Sequence, residues 1–322
     1  MRVTNKMLSN NFLRDMRNNL GNMKTLQGQL TSGKEIRRPS DNPFKVARAM
    51  MLHTDINTNK QYNENIKDTL NWLDTTDTAM NQAGNVLQRV RELIISSGNA
   101  AYGSNERKAI KDEINEKVGE FAQILNTNFD GKYIFSGSRG TSKPLGTDKV
   151  KGNTELFLSD RDGNRLTSDL EQQMLGQKLS VEISQGVTME YNVTASEVLT
   201  FTDDKGNAHD LTKIFKNVIE HLDSDDPSVT EKLTGQDLGD ISATINNILK
   251  IRAEVGAKQN RMESAKEKNE EESFNMTDIL SKTEDIDITE KVMEYSTAQT
   301  VYLASLQTSA KVIQPSLIDY IR

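Results

Sequence analysis

The chain has 322 residues, 35% of them hydrophobic and only 5% aromatic, with a formal net charge of −7. That apolar content suits helices with narrow seams better than one thick enzyme core, and the absence of cysteine excludes disulfides, Cys-based zinc sites and a Cys nucleophile. The charges are interspersed, and no basic patch interleaved with aromatics points to a nucleic-acid partner.

In the first segment, Leu13, Met16, Leu20, Met23 and Leu30 follow three-four spacing, with Gln27 at the missing step. Asn10, Asn11, Asn18, Asn19 and Asn22 crowd this seam and Gly21 interrupts it, so the helix is weak alone and needs a partner. It runs into QLTSGKEIRRPSDNP, Gln29 to Pro43. Pro39 and Pro43 push the residues before them out of the helical region. The first helix is therefore expected to end by about Ile36, and a second to start near Pro43 with Asp41 or Asn42 as cap. Gly33, Pro39, Ser40, Asp41 and Pro43 make a stiff corner between the two.

Ile56, Asn59, Asn63, Ile66, Leu70, Leu73, Asp77, Met80, Gly84, Leu87, Arg91 and Ile94 then alternate steps of three and four. This predicts a helix over 57–98, roughly 60 Å long at a rise of 1.5 Å per residue. After a break at 96–105, Ile110, Ile114, Val118, Phe121 and Leu125 mark the next helix. Phe129-Asp130-Gly131 reads as a turn and Tyr133, Ile134 and Phe135 as a strand. Between about 140 and 226 helical periodicity fades. Short β-type runs occur at Leu156 to Leu158, Leu179 to Ile183, Thr188 to Val193 and Leu199 to Thr202, with turns at Arg161 to Asn164 and Asp203 to Asn207 and a short helix over 210–223. Helical pattern resumes with Ile241, Ile245, Ile248, Val255 and Met262. It ends in a block where Ile288, Val292, Tyr295, Gln299, Tyr302, Leu306, Ser309 and Ile313 again step by four and three, widened by Leu303, Ala310 and Leu317. Pro315 perturbs the last turn.

No residue constellation suggests catalysis, a cofactor or a metal. His53, His209 and His221 lack metal-ligand spacing, Asp160 to Gly163 lacks the rest of a calcium loop, and neither a phosphate-binding glycine loop nor a GxSxG elbow occurs. The N-terminal stretch has no apolar core of a secretory signal, and no run is long enough to span a membrane. General targeting rules alone would therefore read the chain as soluble and cytoplasmic.

The corner and the two ends resemble the flagellin superfamily of bacterial axial proteins. QLTSGKEIRRPSDNP is similar to its N-terminal motif, in which a Leu, a Ser-Gly pair and a Ser-Asp-x-Pro turn follow the first coiled-coil helix. SKTEDIDITEKV, leading to Ala298-Gln299 and an apolar heptad, resembles its final helix. Within the superfamily, NTNFDGKYIFSGS and the ending SLIDYIR resemble the branch that joins hook to filament; flagellins usually place Leu-Leu where Tyr133-Ile134-Phe135 stands. The resemblance covers roughly residues 1–140 and 230–322 and leaves out the insert.

It implies a mainly α fold with a β-rich insert: an elongated bundle of long helices with terminal coiled-coil helices. Residues 1–42 with 285–322 are expected to form a terminal assembly region, 43–140 with 227–284 a long-helix rod, and 141–226 an outer insert. Leu13, Met16, Leu20, Met23, Leu30, Ile288, Val292, Tyr295, Tyr302, Leu306, Ile313 and Leu317 are the expected assembly interface, with the corner as hinge. The implied partners are hook-associated protein 1, flagellin, identical subunits in a ring, and a chaperone and type III apparatus that export the unfolded chain to the extracellular flagellum. Two other readings predict different behaviour. A flagellin would be abundant, and a cytoplasmic coiled-coil scaffold would have termini ordered in the monomer and no dependence on export.

Overall fold

A computed structural model describes residues 5–98, 103–150, 152–203, 205–224 and 227–312. Helices dominate: α1 (Asn5–Ser32), α2 (Pro43–Ser97) and α3 (Ser104–Leu125) precede the insert, and α8 (Leu238–Glu284) and α9 (Ile288–Val312) follow it. Contacts divide the chain into two compact units. One takes the residues up to 59 and from 271 onward, and the other takes 60–270, so the division falls inside α2 and α8.

In the second unit the α2 seam is buried. Ile66, Leu73, Met80, Leu87 and Ile94 have no exposed surface, and they meet Ile114, Val118, Phe121 and Leu125 of α3 and Ile241, Ile248, Val255 and Met262 of α8 in one core. The α2 stripe is wider than the sequence suggests. Thr69, Thr76, Ala83, Val90 and Ser97 flank it on one side and Trp72, Ala79, Val86 and Leu93 on the other, and all are buried. Three rows per heptad are what a helix needs when it packs on several elements at once. Asp77 is polar yet falls on the seam because Arg252 of α8 forks onto it, at 2.9 and 3.2 Å, and reaches Asn81 at 3.0 Å.

The insert is built from antiparallel ribbons. β3 (Leu145–Val150) pairs with β4 (Asn153–Leu158), β5 (Ser180–Ser184) with β6 (Val187–Glu190), and β7 (Thr200–Thr202) with β8 (Ala208–Asp210). A shorter pair, β1 (Asn128–Phe129) with β2 (Lys132–Tyr133), precedes them. The helices α4 (Asp169–Leu175), α5 (Ala195–Leu199) and α6 (Leu211–Asp223) fill in between. α6 buries Leu211, Ile214, Phe215, Val218, Ile219 and Leu222 on one face. α7 (Pro227–Lys232) then runs through a π turn, Leu233–Asp237, into α8.

Some expectations are corrected and others met. The Tyr133-Ile134-Phe135 strand stops at Tyr133: Ile134 and Phe135 are buried in a turn, with Ser136 N–H on Tyr133 O at 3.3 Å and Gly137 at φ +61°. α1 does end before Ile36, as expected: its last residue is Ser32, because Gly33 takes φ +71° and its N–H closes on Gln29 O at 2.8 Å, a left-handed helix stop. The second helix starts at Pro43, as expected, and continues unbroken into the stretch predicted over 57–98. Its cap is Asn42, whose Oδ1 accepts Lys45 N–H at 3.1 Å. Arg161 to Asn164 forms a turn closed by the Ser159–Arg165 bridge, but it links no two named strands.

Candidate assembly interface

α1 and α9 pack on one another within the first unit. They run antiparallel, since the residues after the end of α1 meet those before the start of α9: Glu35 N–H donates to Glu284 O at 2.6 Å and Ile286 N–H to Gly33 O at 3.2 Å. A half-buried row on α1 runs through Ser9, Phe12, Met16, Asn19, Met23, Leu26 and Leu30, joined near the corner by Gly28 and Gln29, and one on α9 through Lys291, Tyr295, Ala298, Tyr302, Ser305 and Ser309. Both rows step by three and four, as an antiparallel helix pair requires.

The seam predicted from sequence is thus split. Met16, Met23, Leu30, Tyr295 and Tyr302 lie on the half-buried rows. Leu13, Leu20, Ile288, Val292 and Leu306 lie beside them, 41–64% exposed. Met293, Val301 and Leu303 add to the exposed apolar surface of α9. Ile313 and Leu317 lie outside the described residues. The sequence reading missed Phe12, Leu26 and Ala298. A second phase of the same heptad, at residues 12, 16, 19, 23, 26 and 30, carries no gap at Gln27 and was available as a signal.

The corner has a defined construction. Asp41 N–H closes on Arg38 O at 2.9 Å, so Pro39 and Ser40 are the two central residues of a tight turn, and Pro39 takes the position where its fixed φ is favoured. The Asp41 carboxylate accepts the Arg37 and Arg38 amides at 3.1 and 2.9 Å. Pro43 opens α2 at a site where its missing N–H costs nothing. Lys34 pairs with Asp285 at 2.7 Å and Glu284 at 3.2 Å, Lys45 with Glu35 at 2.7 Å, and His53 approaches Glu284 at 3.3 Å. The Lys34 ammonium and the Ser281 hydroxyl hold the Asp285 carboxyl below its ordinary range, and Asp285 in turn raises Lys34. Asp287 caps α9, accepting the Thr289 and Glu290 amides at 2.8 and 3.2 Å. Each of these contacts fastens the corner or the α8–α9 bend. The acidic side, Glu284 and Asp285, has no spacing signal that would reveal it in sequence.

Among the described residues, no group of three or more His, Asp or Glu is arranged to hold a metal ion, and no helix is long and apolar enough to cross a membrane.

Residues 3–140 match the family model of the bacterial flagellin N-terminal helical region, and residues 238–321 match that of the bacterial flagellin C-terminal helical region. The flagellar hook-associated protein 3 of Escherichia coli is 22% identical over 308 residues, 95% of this chain and 95% of that protein. A flagellin of Clostridium tyrobutyricum is 31% identical over 140 residues, which are 43% of this chain and 37% of that protein. Among solved structures, a flagellar hook-associated protein of Vibrio parahaemolyticus superposes with a TM-score of 0.61 at 19% identity, covering 76% of this chain and 100% of that one.

Proposed function

This chain belongs to the flagellin superfamily, and we propose that within it the chain is the structural adaptor that joins the flagellar hook to the filament. The observation that carries this reading is the match to a hook-associated protein 3 over 95% of both chains, insert included. Flagellins match nearly as fully, one of Bacillus subtilis at 23% identity over 92% of this chain and 91% of its own, so the deletion experiment below decides between the two. The adaptor sits between hook-associated protein 1 on the hook side and flagellin on the filament side, as a ring of identical subunits. It reaches that position by export as an unfolded chain through the flagellar type III apparatus, escorted by a chaperone.

The terminal helices supply the mechanism. Ordering a residue costs about 1–2 kcal/mol of backbone entropy. The α1–α9 seam offsets part of that with half-buried rows, two of whose α9 positions are Ser305 and Ser309. The outward rows at Leu13, Leu20, Ile288, Val292 and Leu306 offset the rest only when neighbouring subunits cover them. Ring formation then completes the folding of the terminal pair, and the corner fixes the direction in which α2 leaves it. Residues 43–140 with 227–284 serve as the rod, and 141–226 as the outward-facing insert.

The test is an in-frame deletion of the gene, with electron microscopy of the cells and an assay of the medium. Hooks without filaments, with flagellin shed as monomer, are expected. Disappearance of flagellin from the medium would instead identify this chain as the filament subunit. Normal filaments would exclude both. Within the adaptor role, the Pro39→Gly, Pro43→Gly double variant is expected to lower filament retention, and unchanged retention would remove the corner from the mechanism.

A further inference from the structure

One half-buried ammonium of the second unit stands without a carboxylate in contact. The half-buried lysines there are Lys111, Lys117, Lys178, Lys258 and Lys266. Lys111 pairs with Asp223 at 2.7 Å, Lys117 with Glu120 at 2.6 Å, Lys178 with Glu197 at 2.6 Å and Lys266 with Glu270 at 3.8 Å. Lys258, on α8, is the exception among the described residues. Glu197, Glu254 and Glu190 act on it only through space, and Glu197 is already closed on Lys178. A charge drawn out of water without a partner is costly.

Lys258 lines an open cavity of about 670 Å³ between α8 and the β5–β6 ribbon. Arg261, one turn further along α8, lines it too, and the ribbon contributes Ser180, Thr188 and Glu190. Arg261 is exposed and, among the described residues, holds no carboxylate. The ribbon is fixed against α8, where the buried Asn269 donates Nδ2 to Ile183 O at 2.8 Å. Lys178 is fixed as well, with Nζ on Asn192 O at 3.2 Å and on Glu197. Burial, and then the Lys178 ammonium, lower the proton affinity of the Lys258 amine, against the pull of the three carboxylates. Desolvation and a neighbouring cation are the two ordinary means of turning a lysine into a nucleophile, and here both act in a cleft that a small molecule can enter.

We propose that Lys258 is a modification site, acylated by small acyl phosphates whose phosphate is held by Arg261. The neutral Nζ attacks the carbonyl carbon of the acyl group. A C–N bond forms, and the C–O bond to phosphate breaks with its electron pair going to the phosphate oxygen. The proton given up by the amine passes to the leaving phosphate, so an amide and inorganic phosphate are the only products. The planar guanidinium of Arg261 matches phosphate oxygens in charge and geometry. Glu190 repels phosphate from the ribbon wall and leaves the α8 wall as its place. The amide is uncharged, so acylation removes the unpaired ammonium from its half-buried position. This inference stands on the second unit alone and is independent of the adaptor reading.

The test treats the full chain with limiting acetyl phosphate at neutral pH and reads acetylation of each lysine by peptide mass spectrometry, referred to the same chain unfolded in urea. Lys258 is expected to react several-fold faster than the exposed Lys67 and Lys250, and urea is expected to abolish that preference. Arg261→Gln, a change at an exposed position, is expected to slow acetylation of Lys258 by acetyl phosphate several-fold. The same variant is expected to leave its acetylation by acetic anhydride, an uncharged donor, unchanged. A rate at Lys258 no higher than at Lys67 and Lys250 would overturn the site. So would an Arg261→Gln effect that is absent, or equal for the two donors.

Discussion

The core seam of α2 and the seams of α1 and α9 obey the same spacing rule, yet they end up in opposite environments. Ile66, Leu73, Met80, Leu87 and Ile94 are fully enclosed by α3, α8 and the insert. Leu13, Leu20, Ile288, Val292 and Leu306, at equivalent heptad steps, remain largely open. Apolar periodicity therefore says that a face wants a partner but not whether the same chain supplies it. In the second unit it does. In the terminal pair it supplies one row on each helix and leaves the next row exposed.

The contrast breaks most readily at its most buried point. Leu73→Ala is expected to cost about 2–5 kcal/mol of unfolding free energy, read by urea denaturation of the monomer. Leu20→Ala, on the open row, is expected to change the same measurement by less than about 0.5 kcal/mol while lowering filament retention in cells. Similar costs for the two would erase the distinction between the rows. Gly33→Ala probes the join between α1 and the corner. A side chain at φ +71° is expected to cost about 1–2 kcal/mol, read as loss of α1 protection in hydrogen exchange with α3 unaffected. Arg252→Ala removes the fork onto Asp77, a partly exposed pair, and is expected to cost about 0.2–1 kcal/mol after solvent screening, read by the same denaturation. The smallest effect is the acid response of the corner. Asp285 titrates lower in the folded chain than an ordinary carboxylate. Its contribution is thus fully present above the ordinary carboxylate range and is lost as pH falls through the depressed value. Exchange protection of the first turn of α9 is expected to fall in acid, and Asp285→Asn is expected to flatten that response.

Much of this architecture was legible in sequence, for identifiable reasons. Rows such as 66, 73, 80, 87 and 94 keep their period over many turns, and long repetition is the strongest local signal there is. The turn at Pro39 and Ser40, closed by Asp41 and followed by the Asn42 cap and Pro43, was legible because Pro and Asx residues impose their own geometry. Tyr133-Ile134-Phe135 misled because aromatic and β-branched residues favour strands only where a pairing edge exists. Here Phe135 O instead accepts Ala195 N–H at 2.9 Å from sixty residues downstream. β3, with its sequence LGTDKV, has no alternating pattern. It forms because β4 pairs with it across the bend at Gly152, which takes φ +85°. The clasp of Lys34 on Asp285 was invisible because charge pairs 251 positions apart leave no periodic trace.

The ribbons of the insert bear on how such a chain folds in time. Among the described residues each strand pairs only with its neighbour in sequence, across a short turn. Pairings of that kind have low contact order and form fast, because little chain must be gathered before the first hydrogen bonds reward it. The slow closures are those of α1 on α9 and of α2 on α8, which bring together segments far apart in sequence. In a chain delivered end-first, every ribbon can close soon after its own residues emerge. The helix pairs that bind the two ends into one body must wait until the last segment arrives, so completion of the terminal pair marks a whole chain.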